Sequence, residues 1–559
     1  MADREKTTPL RSETRLIIGI CLLAAIRVFV FSAVFPFFNN VDEIYHVDTV
    51  RKYARGYLPT RPVEYFDPDT IDLLIRCGTF EFQTQIEYFH DENHSSSLQA
   101  ASPKEAAQTW DVAKKFFVKL TPIEYLLDVN YPPPLWKASP KEAAQIWDVM
   151  KKFFTNRTNH EAHAQPVYYL ATSLWYNLGT WAGLADGRDL YWVRFLNAPL
   201  YGLLVWCAYC FCREGFRMRT EMRIGVPALL AFLPQDVFYS INNDALSALM
   251  FTLSLVILLR WFRRGYAKVW LGALVGFLVA ITFLVKYTNI ALVAIFGILM
   301  LIRMYQSIVK RHRQATLTGI VAMLAAALPV LIWFAHNNTH LDSFTGTTEK
   351  VKALGWTSKP LSEIFEHPLF TPAGLWTFWE ELMQKFWRGG FVWRAIQMAH
   401  KSVDLFYVIA SSVLLIAAAA MGIAQKYFPQ NNAKPHNEPN DGGRPMTVQQ
   451  SDPAAMAMVW ASVGLSICSL AVLSIAFDFG NSSYPSVKHP YFTSGRLIIG
   501  AVVPFLILYV EGLAFLLKWL TGTIGPLVFV GLTCVIMTIS EIALTWPVLA
   551  NEFNWFHLP

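Results

Sequence analysis

Phe35-Pro-Phe-Phe-Asn-Asn-Val-Asp-Glu-Ile-Tyr-His-Val-Asp-Thr-Val-Arg-Lys-Tyr-Ala-Arg-Gly56 is the stretch where the chain changes character. An apolar run from Leu16 to Phe35 ends at Pro36, and Asp42, Glu43, His46 and Asp48 follow within a few residues. About twenty apolar residues are enough to cross a hydrocarbon core of about 30 Å. A cluster of titratable groups therefore stands where a membrane helix emerges. Acid and base groups at that boundary can reach a lipid-borne phosphate and a soluble acceptor together, so this is the candidate active site.

The totals agree with a membrane chain. Of 559 residues, 54% are hydrophobic, 14% aromatic and only 16% charged, the balance of a polytopic membrane protein and not of several soluble domains. The net charge of +6 comes from short basic clusters between apolar runs, which read as topology signals and exclude a nucleic-acid stripe. The seven cysteines fall mostly inside apolar runs and give no disulfide framework. Arg4, Lys6, Arg11 and Arg15 precede the first run, and no small-residue cleavage site follows it. It reads as a retained signal-anchor.

Basic clusters mark the cytoplasmic ends of spans, and they place the rest of the chain. With the N-terminus cytoplasmic, span one exits outward, and the polar segment 37–190 lies outside. Inside that segment Ala101 to Phe117 recurs almost unchanged as Ala138 to Phe154. Each copy opens Ser-Pro-x-Glu and has the spacing of a short amphipathic helix. The run Val167 to Trp181 reads as an interfacial helix. Spans two to seven occupy 191–335: Tyr191–Phe211, Ile224–Ile241, Ala245–Phe262, a stretch from Val269 to Ile302 divided at Lys286-Tyr-Thr-Asn289, and Ala315–Ala335. A Trp-rich external segment, 336–402, carries Trp356, Trp376, Trp379, Trp387 and Trp393, and suits helices lying in the interface. Spans eight to eleven occupy 403–546, with a flexible cytoplasmic linker at 430–452 and an external tail at 547–559. The expected fold is an all-α polytopic membrane protein of about eleven spans, multi-pass in the cell's inner membrane, with its C-terminus external.

Three groups of residues could carry chemistry on the external face. Asp42 and Glu43 can act as general base or orienter for an acceptor hydroxyl; equally, acidic residues are favoured as caps of the helix that starts near Ile44. Asp42 and His46 stand four apart on one helix face, so a divalent metal is conceivable there, without support from a recognisable metal spacing. Arg496, after Tyr491-Phe-Thr-Ser-Gly495, and Lys286 lie at outer span ends, where a cation breaks the inside bias and needs a reason. A departing phosphate is one; snorkelling to headgroups is another. His160, Glu161, His163 and Gln165 precede Pro166-Val-Tyr168-Tyr, and could line an acceptor cavity. Arg27 lies deep in span one, and Glu511, in span ten, is a candidate partner. No phosphate-cradling glycine loop, nucleophile elbow or HExxH is present.

Taken in order, these residues resemble one bacterial family of multispanning membrane proteins. The features are the Asp-Glu pair beyond the first span, an amphipathic first loop, Gln-Pro-x-Tyr-Tyr, the Leu-Pro-Gln235 to Asn-Asn-Asp-Ala245 hairpin, Lys-x-Thr at Lys286, and Ser-Gly-Arg496. That family is similar to the GT-C glycosyltransferases, which use polyprenyl-phosphate sugars. The resemblance implies an inverting sugar transfer at the outer face. Asp42 is then the base or acceptor orienter, with Glu43 its neighbour. Arg496 and, second, Lys286 contact the donor phosphate. His46, His163, Gln165, Tyr168 and Tyr491 are the residues expected to line the acceptor or sugar site, and no cofactor is expected. The expected partners are the bilayer, a polyprenyl-phosphate-linked sugar, and a glycan, lipid or protein acceptor, with no nucleic acid. A flippase for lipid-linked saccharides and a non-catalytic envelope scaffold are the rival readings.

Overall fold

A computed structural model describes residues 8–40, 42–77, 139–141, isolated positions between 144 and 155, 157–263, 268–393, 396–427, 452–480, 485–521 and 524–557. The first copy of the duplicated segment and the linker 430–451 fall outside the described residues. The fold is all-α; the only described strands are two-residue pairs, Thr357–Ser358 with Phe477–Asp478 and Val392–Trp393 with Ile396–Gln397.

Among the described residues, nine helical segments are long and apolar enough to cross a membrane. α1 (Thr8–Val34) packs along α6 (Asn197–Gly215). Three short helices, α2 (Glu43–Ala54), α3 (Pro68–Cys77) and α4 (Pro166–Trp181), form a cap beyond the end of α1. α5 (Arg188–Phe195) leads from this cap into α6. The cap has its own aromatic core of Tyr45, Phe66, Phe154, Tyr169 and Tyr191. Phe154, the last residue of the second repeat copy, packs edge-on against Phe66 at 5.5 Å.

The remaining crossings are α8 (Asp244–Arg263), α10 (Ile290–Val309), α11 (Arg313–Leu341), α14 (Lys401–Tyr427), α15 (Pro453–Ala476), α16 (Val502–Thr521, entered through a 3-10 turn from Gly495) and α17 (Ile524–Leu549). The segment Gly495–Leu517 is enclosed along most of its length, whereas Arg313–Leu341 leaves most of its surface open. Leu324, Leu328, Leu331 and Ile332 all stand exposed on that helix. In water such a face is unfavourable; against lipid tails it is at home. α9 (Val269–Val285), with 17 residues, is shorter. It lies so close to α11 that a Cβ at Gly276 would sit 2.0 Å from the Ala322 carbonyl oxygen, the close backbone approach that Gly272-x-x-x-Gly276 permits. α12 (Thr348–Ala353) and α13 (Pro372–Arg388) belong to the second polar segment.

Two expectations are corrected here. The third span is not a continuous helix over 224–241. α7 (Thr220–Ala231) is 12 residues long, and after Leu233-Pro the chain continues as a 3-10 turn at Asp236–Tyr239. Proline removes a donor and disfavours helix in the residue before it, so this crossing is half helix and half irregular backbone. Carbonyls freed at such a break need donors, and Arg27 supplies them: its guanidinium donates to the Ala231 oxygen at 3.3 Å and the Leu233 oxygen at 3.0 Å. The partner of Arg27 is Glu541, at 2.6 Å, and not Glu511; Glu511 pairs with Arg219. In the Trp-rich segment, Trp387 and Trp393 are buried in the bundle core, while Trp376 is exposed. Replacing Arg27 by Ala should cost about 3–5 kcal/mol, because it orphans a buried carboxylate and two carbonyls. A fall in the thermal unfolding midpoint of the detergent-solubilised chain, larger than for an exposed Arg313→Ala control, is the measurement that checks it.

Candidate functional site

Pro36 ends α1 and leaves the carbonyls of its last turn without intrahelical donors. Arg194, from α5, satisfies them: NH1 donates to Ser32 at 3.3 Å and Phe35 at 2.6 Å, and NH2 to Pro36 at 2.9 Å. The same guanidinium grips Glu43 through Nε at 2.8 Å and NH2 at 2.7 Å. Glu43 also accepts the amides of Phe38 and Ile241, each at 2.8 Å. Four donors saturate this carboxylate. Side-chain exposure is 0% for Glu43 and 1% for Arg194, so Glu43 holds the exit of α1 to α5 and to the irregular third crossing, and turns no lone pair to a ligand.

Asp42 goes the other way. Its φ of 67° places it in the left-handed region, and its side chain makes no capping bond to α2. It pairs instead with Arg496, 454 residues distant, and the two side chains are 18% and 19% exposed. Arg496 is placed by Gly495, whose missing side chain lets this backbone lie on α13; a Cβ at 495 would be 2.1 Å from the Phe386 amide nitrogen. Beside Asp42 stands His160, Nε2 at 3.5 Å from Oδ1 and 3.9 Å from a Glu161 oxygen. Glu161 in turn pairs with Lys350 of α12.

Lys286, between α9 and α10, pairs with Asp244 at the start of α8. The two pairs are electrostatic neighbours, for Arg496 feels Asp244 and Glu161, and Lys286 feels Arg496 and Glu161. His46 faces the same acids, held through Nδ1 by the Tyr169 hydroxyl at 2.7 Å. Gln165 bonds Tyr287 next to Lys286, and Tyr168 lies buried beside His46, ring centres 6.5 Å apart. The structure thus brings Asp42, Arg496, Lys286 and His46 together, with Gln165 and Tyr168 at their back. It leaves two expected residues elsewhere. His163 bonds the Arg61 carbonyl at 2.8 Å. Tyr491 stands with His489, ring centres 5.0 Å apart, in a cluster around Glu381. Sequence reasoning missed Arg194, Asp244 and Lys350; the unbroken polarity of Asn242-Asn-Asp244 marked a turn and gave no sign that Asp244 pairs with Lys286.

Burial raises the Asp42 carboxyl, yet Arg496, His160 and Lys350 together hold it well below the carboxylate range. Burial likewise opposes Glu161, and Lys350 brings it down. Burial pushes the Lys286 ammonium down, against the pull of Asp244, and pushes the His46 imidazole down to about 4. His46 is therefore neutral at neutral pH. The ligand atoms of Asp42, His160 and Glu161 lie within 4.8 Å of one another, close enough to share a divalent ion, a different set from the Asp42 and His46 pair that helical spacing suggests. Both carboxylates already face a cation, Arg496 at Asp42 and Lys350 at Glu161.

Residues 169–333 match the family model of the dolichyl-phosphate-mannose-protein mannosyltransferases. The chain is GT-C-like. No curated protein and no solved structure matches it. The match covers less than a third of the chain; it takes in Arg194, the broken third crossing, Asp244 and Lys286, and ends before Lys350 and Arg496. Joined to the all-α, many-spanning architecture, it supports a membrane glycosyltransferase of the GT-C type. In this GT-C-like frame the acids and bases gather at one end of the bundle, and the basic cluster of Arg219, Arg223 and Arg263 gathers with Glu13, Glu214, Glu511 and Asp452 at the other.

A histidine depressed by burial stabilises the fold above its unfolded pKa, and that contribution is lost as pH falls through the folded value. For His46 the window runs from 6.5 down to about 4. His46→Gln should flatten the loss of thermal stability across that window relative to the native chain; melting curves at stepped pH read it directly.

Proposed function

We propose that the protein transfers a sugar from a polyprenyl-phosphate carrier to a hydroxyl acceptor at the outer face of the membrane, with inversion. The observation that supports this best is the partly exposed Asp42–Arg496 pair, built from opposite ends of the chain, with Lys286 beside it. Asp42 takes the acceptor proton, a role a positioned carboxylate fills. Arg496 receives the departing phosphate, where a guanidinium in a poorly hydrated site is worth more than in water. Lys286, pinned by Asp244, adds field from behind. Neutral His46, presented by Tyr169, is left with Nε2 for an acceptor or sugar hydroxyl, and Glu161 with His160 frames the approach. The acceptor is a glycan, lipid or protein of the envelope.

The flippase reading asks for deep charges that line a path. Arg27–Glu541 is instead almost enclosed, as is Arg219–Glu511 at the far end of the bundle, with side chains no more than 10% exposed, and Arg27 is spent on a broken helix. With purified protein and a polyprenyl-phosphate sugar, Asp42→Asn should lower turnover by about 10²–10⁴-fold, and Arg496→Gln should lower kcat/KM at least as far as Lys286→Gln does. Near-native turnover of Asp42→Asn would remove Asp42 from the chemistry, and no turnover by the native chain would favour a scaffold.

A further inference from the structure

The cations of the site carry no surplus charge. Among the described residues of the cluster, Arg496, Lys350 and Lys286 are matched by Asp42, Glu161 and Asp244. The Lys286–Asp244 pair is closed, with side chains 11% and 0% exposed; Lys350 stands open at 36% over a Glu161 that is 9% exposed, and Asp42 and Arg496 both open to solvent at nearly a fifth of their side-chain surface. An incoming phosphate, the anion that the proposed function supplies, therefore meets on Arg496 a guanidinium that a carboxylate already bonds. We infer that Asp42 holds the seat on Arg496 that the donor phosphate takes, and that the proton Asp42 receives from the acceptor hands Arg496 over to the leaving phosphate.

The inference rests on the proposed donor class. The transfer balances. The acceptor O–H breaks and its proton goes to Asp42; the acceptor oxygen bonds the anomeric carbon; the bond from that carbon to the phosphate oxygen breaks with its electron pair on oxygen. Asp42 goes from one negative charge to none as the phosphodiester, with one, becomes a phosphomonoester with two. The cluster's net charge never changes, and Arg496 bridges the atom that loses charge and the atom that gains it. The coupling is reciprocal: a phosphate that draws Arg496 away relieves the cation that holds the Asp42 carboxyl down, so the base strengthens when donor is present. When the proton later leaves for water, Asp42 reclaims Arg496 and displaces the product.

The test is binding of farnesyl phosphate, with farnesol as control, to the full chain in detergent. Asp42 has φ 67°, a conformation that Asn and Gly adopt readily, so Asp42→Asn and Asp42→Gly should both fold, which thermal unfolding verifies. Each should bind farnesyl phosphate about tenfold more tightly than the native chain, the scale of one charge-assisted bond, with farnesol unaffected, and adding Arg496→Gln should abolish the gain. Equal or weaker binding by both variants, or a gain that persists without Arg496, overturns the seat exchange while leaving the donor class standing. If native and variant chains alike bind farnesyl phosphate no better than farnesol, the donor class and the exchange fall together.

Discussion

The ion pair of Glu43 with Arg194 is the contact on which the rest of the site depends. It is sealed from solvent, it ties the end of α1 to α5, and through the Ile241 amide it reaches the irregular third crossing. Removing charges from water is expensive, and such a pair is tolerable only when its remaining lone pairs and protons are met. Here they are met by backbone from two parts of the chain, residues 32–38 and Ile241. The clamp therefore does more than bind two side chains: it decides where residue 42 begins, and so where the carboxylate that follows no capping role can point.

Much of the architecture was legible because hydropathy and length are strong signals in a bilayer. The run before Pro36, the breaking of Val269–Ile302 at Lys286, and the cation at 496 on the wrong end of its span could all be read from composition and side alone. The third span could not, because Ile224–Ile241 has the hydropathy of a crossing while Leu233-Pro and the Gln235-Asp236 pair divide it; its stability comes from Arg27 in a different helix. Asp244 and Lys350 were illegible for a related reason. Their meaning lies in partners 42 and 189 residues away, and no local pattern encodes a partner. His163 and Tyr491 show the converse: they sit near site residues in sequence, but a helix start and a turn carry them to other neighbours.

The deep charges illustrate how a membrane chain spends polar groups. Arg27 lies where a soluble protein would place leucine, yet it closes two carbonyls, a tyrosine hydroxyl and a carboxylate in one constellation. A broken helix inside a bundle is tolerated when something re-satisfies its backbone, and the break is what lets the chain arrive at Asp236–Asp244 from the membrane interior, beside Gly389–Gly390 and α13. The same irregular segment supplies Ile241 to Glu43 and Asp244 to Lys286, so the discontinuity builds the floor of the site.

Adjacent carboxylates in the sequence thus acquire opposite fates through one dihedral. Had residue 42 taken the extended backbone usual at a helix cap, its side chain would have had the N-terminal amides of α2 to bond, and Arg496 would have lost this carboxylate. The left-handed turn costs on the order of 1 kcal/mol for a residue other than glycine, a cost aspartate bears better than most because its short side chain is tolerated there. What the strain secures is separation: a carboxylate with four fixed donors cannot readily exchange a proton, and one that meets Arg496 at a partly exposed edge can. Neither residue could serve both ends, which is why the sequence needs Asp and Glu side by side.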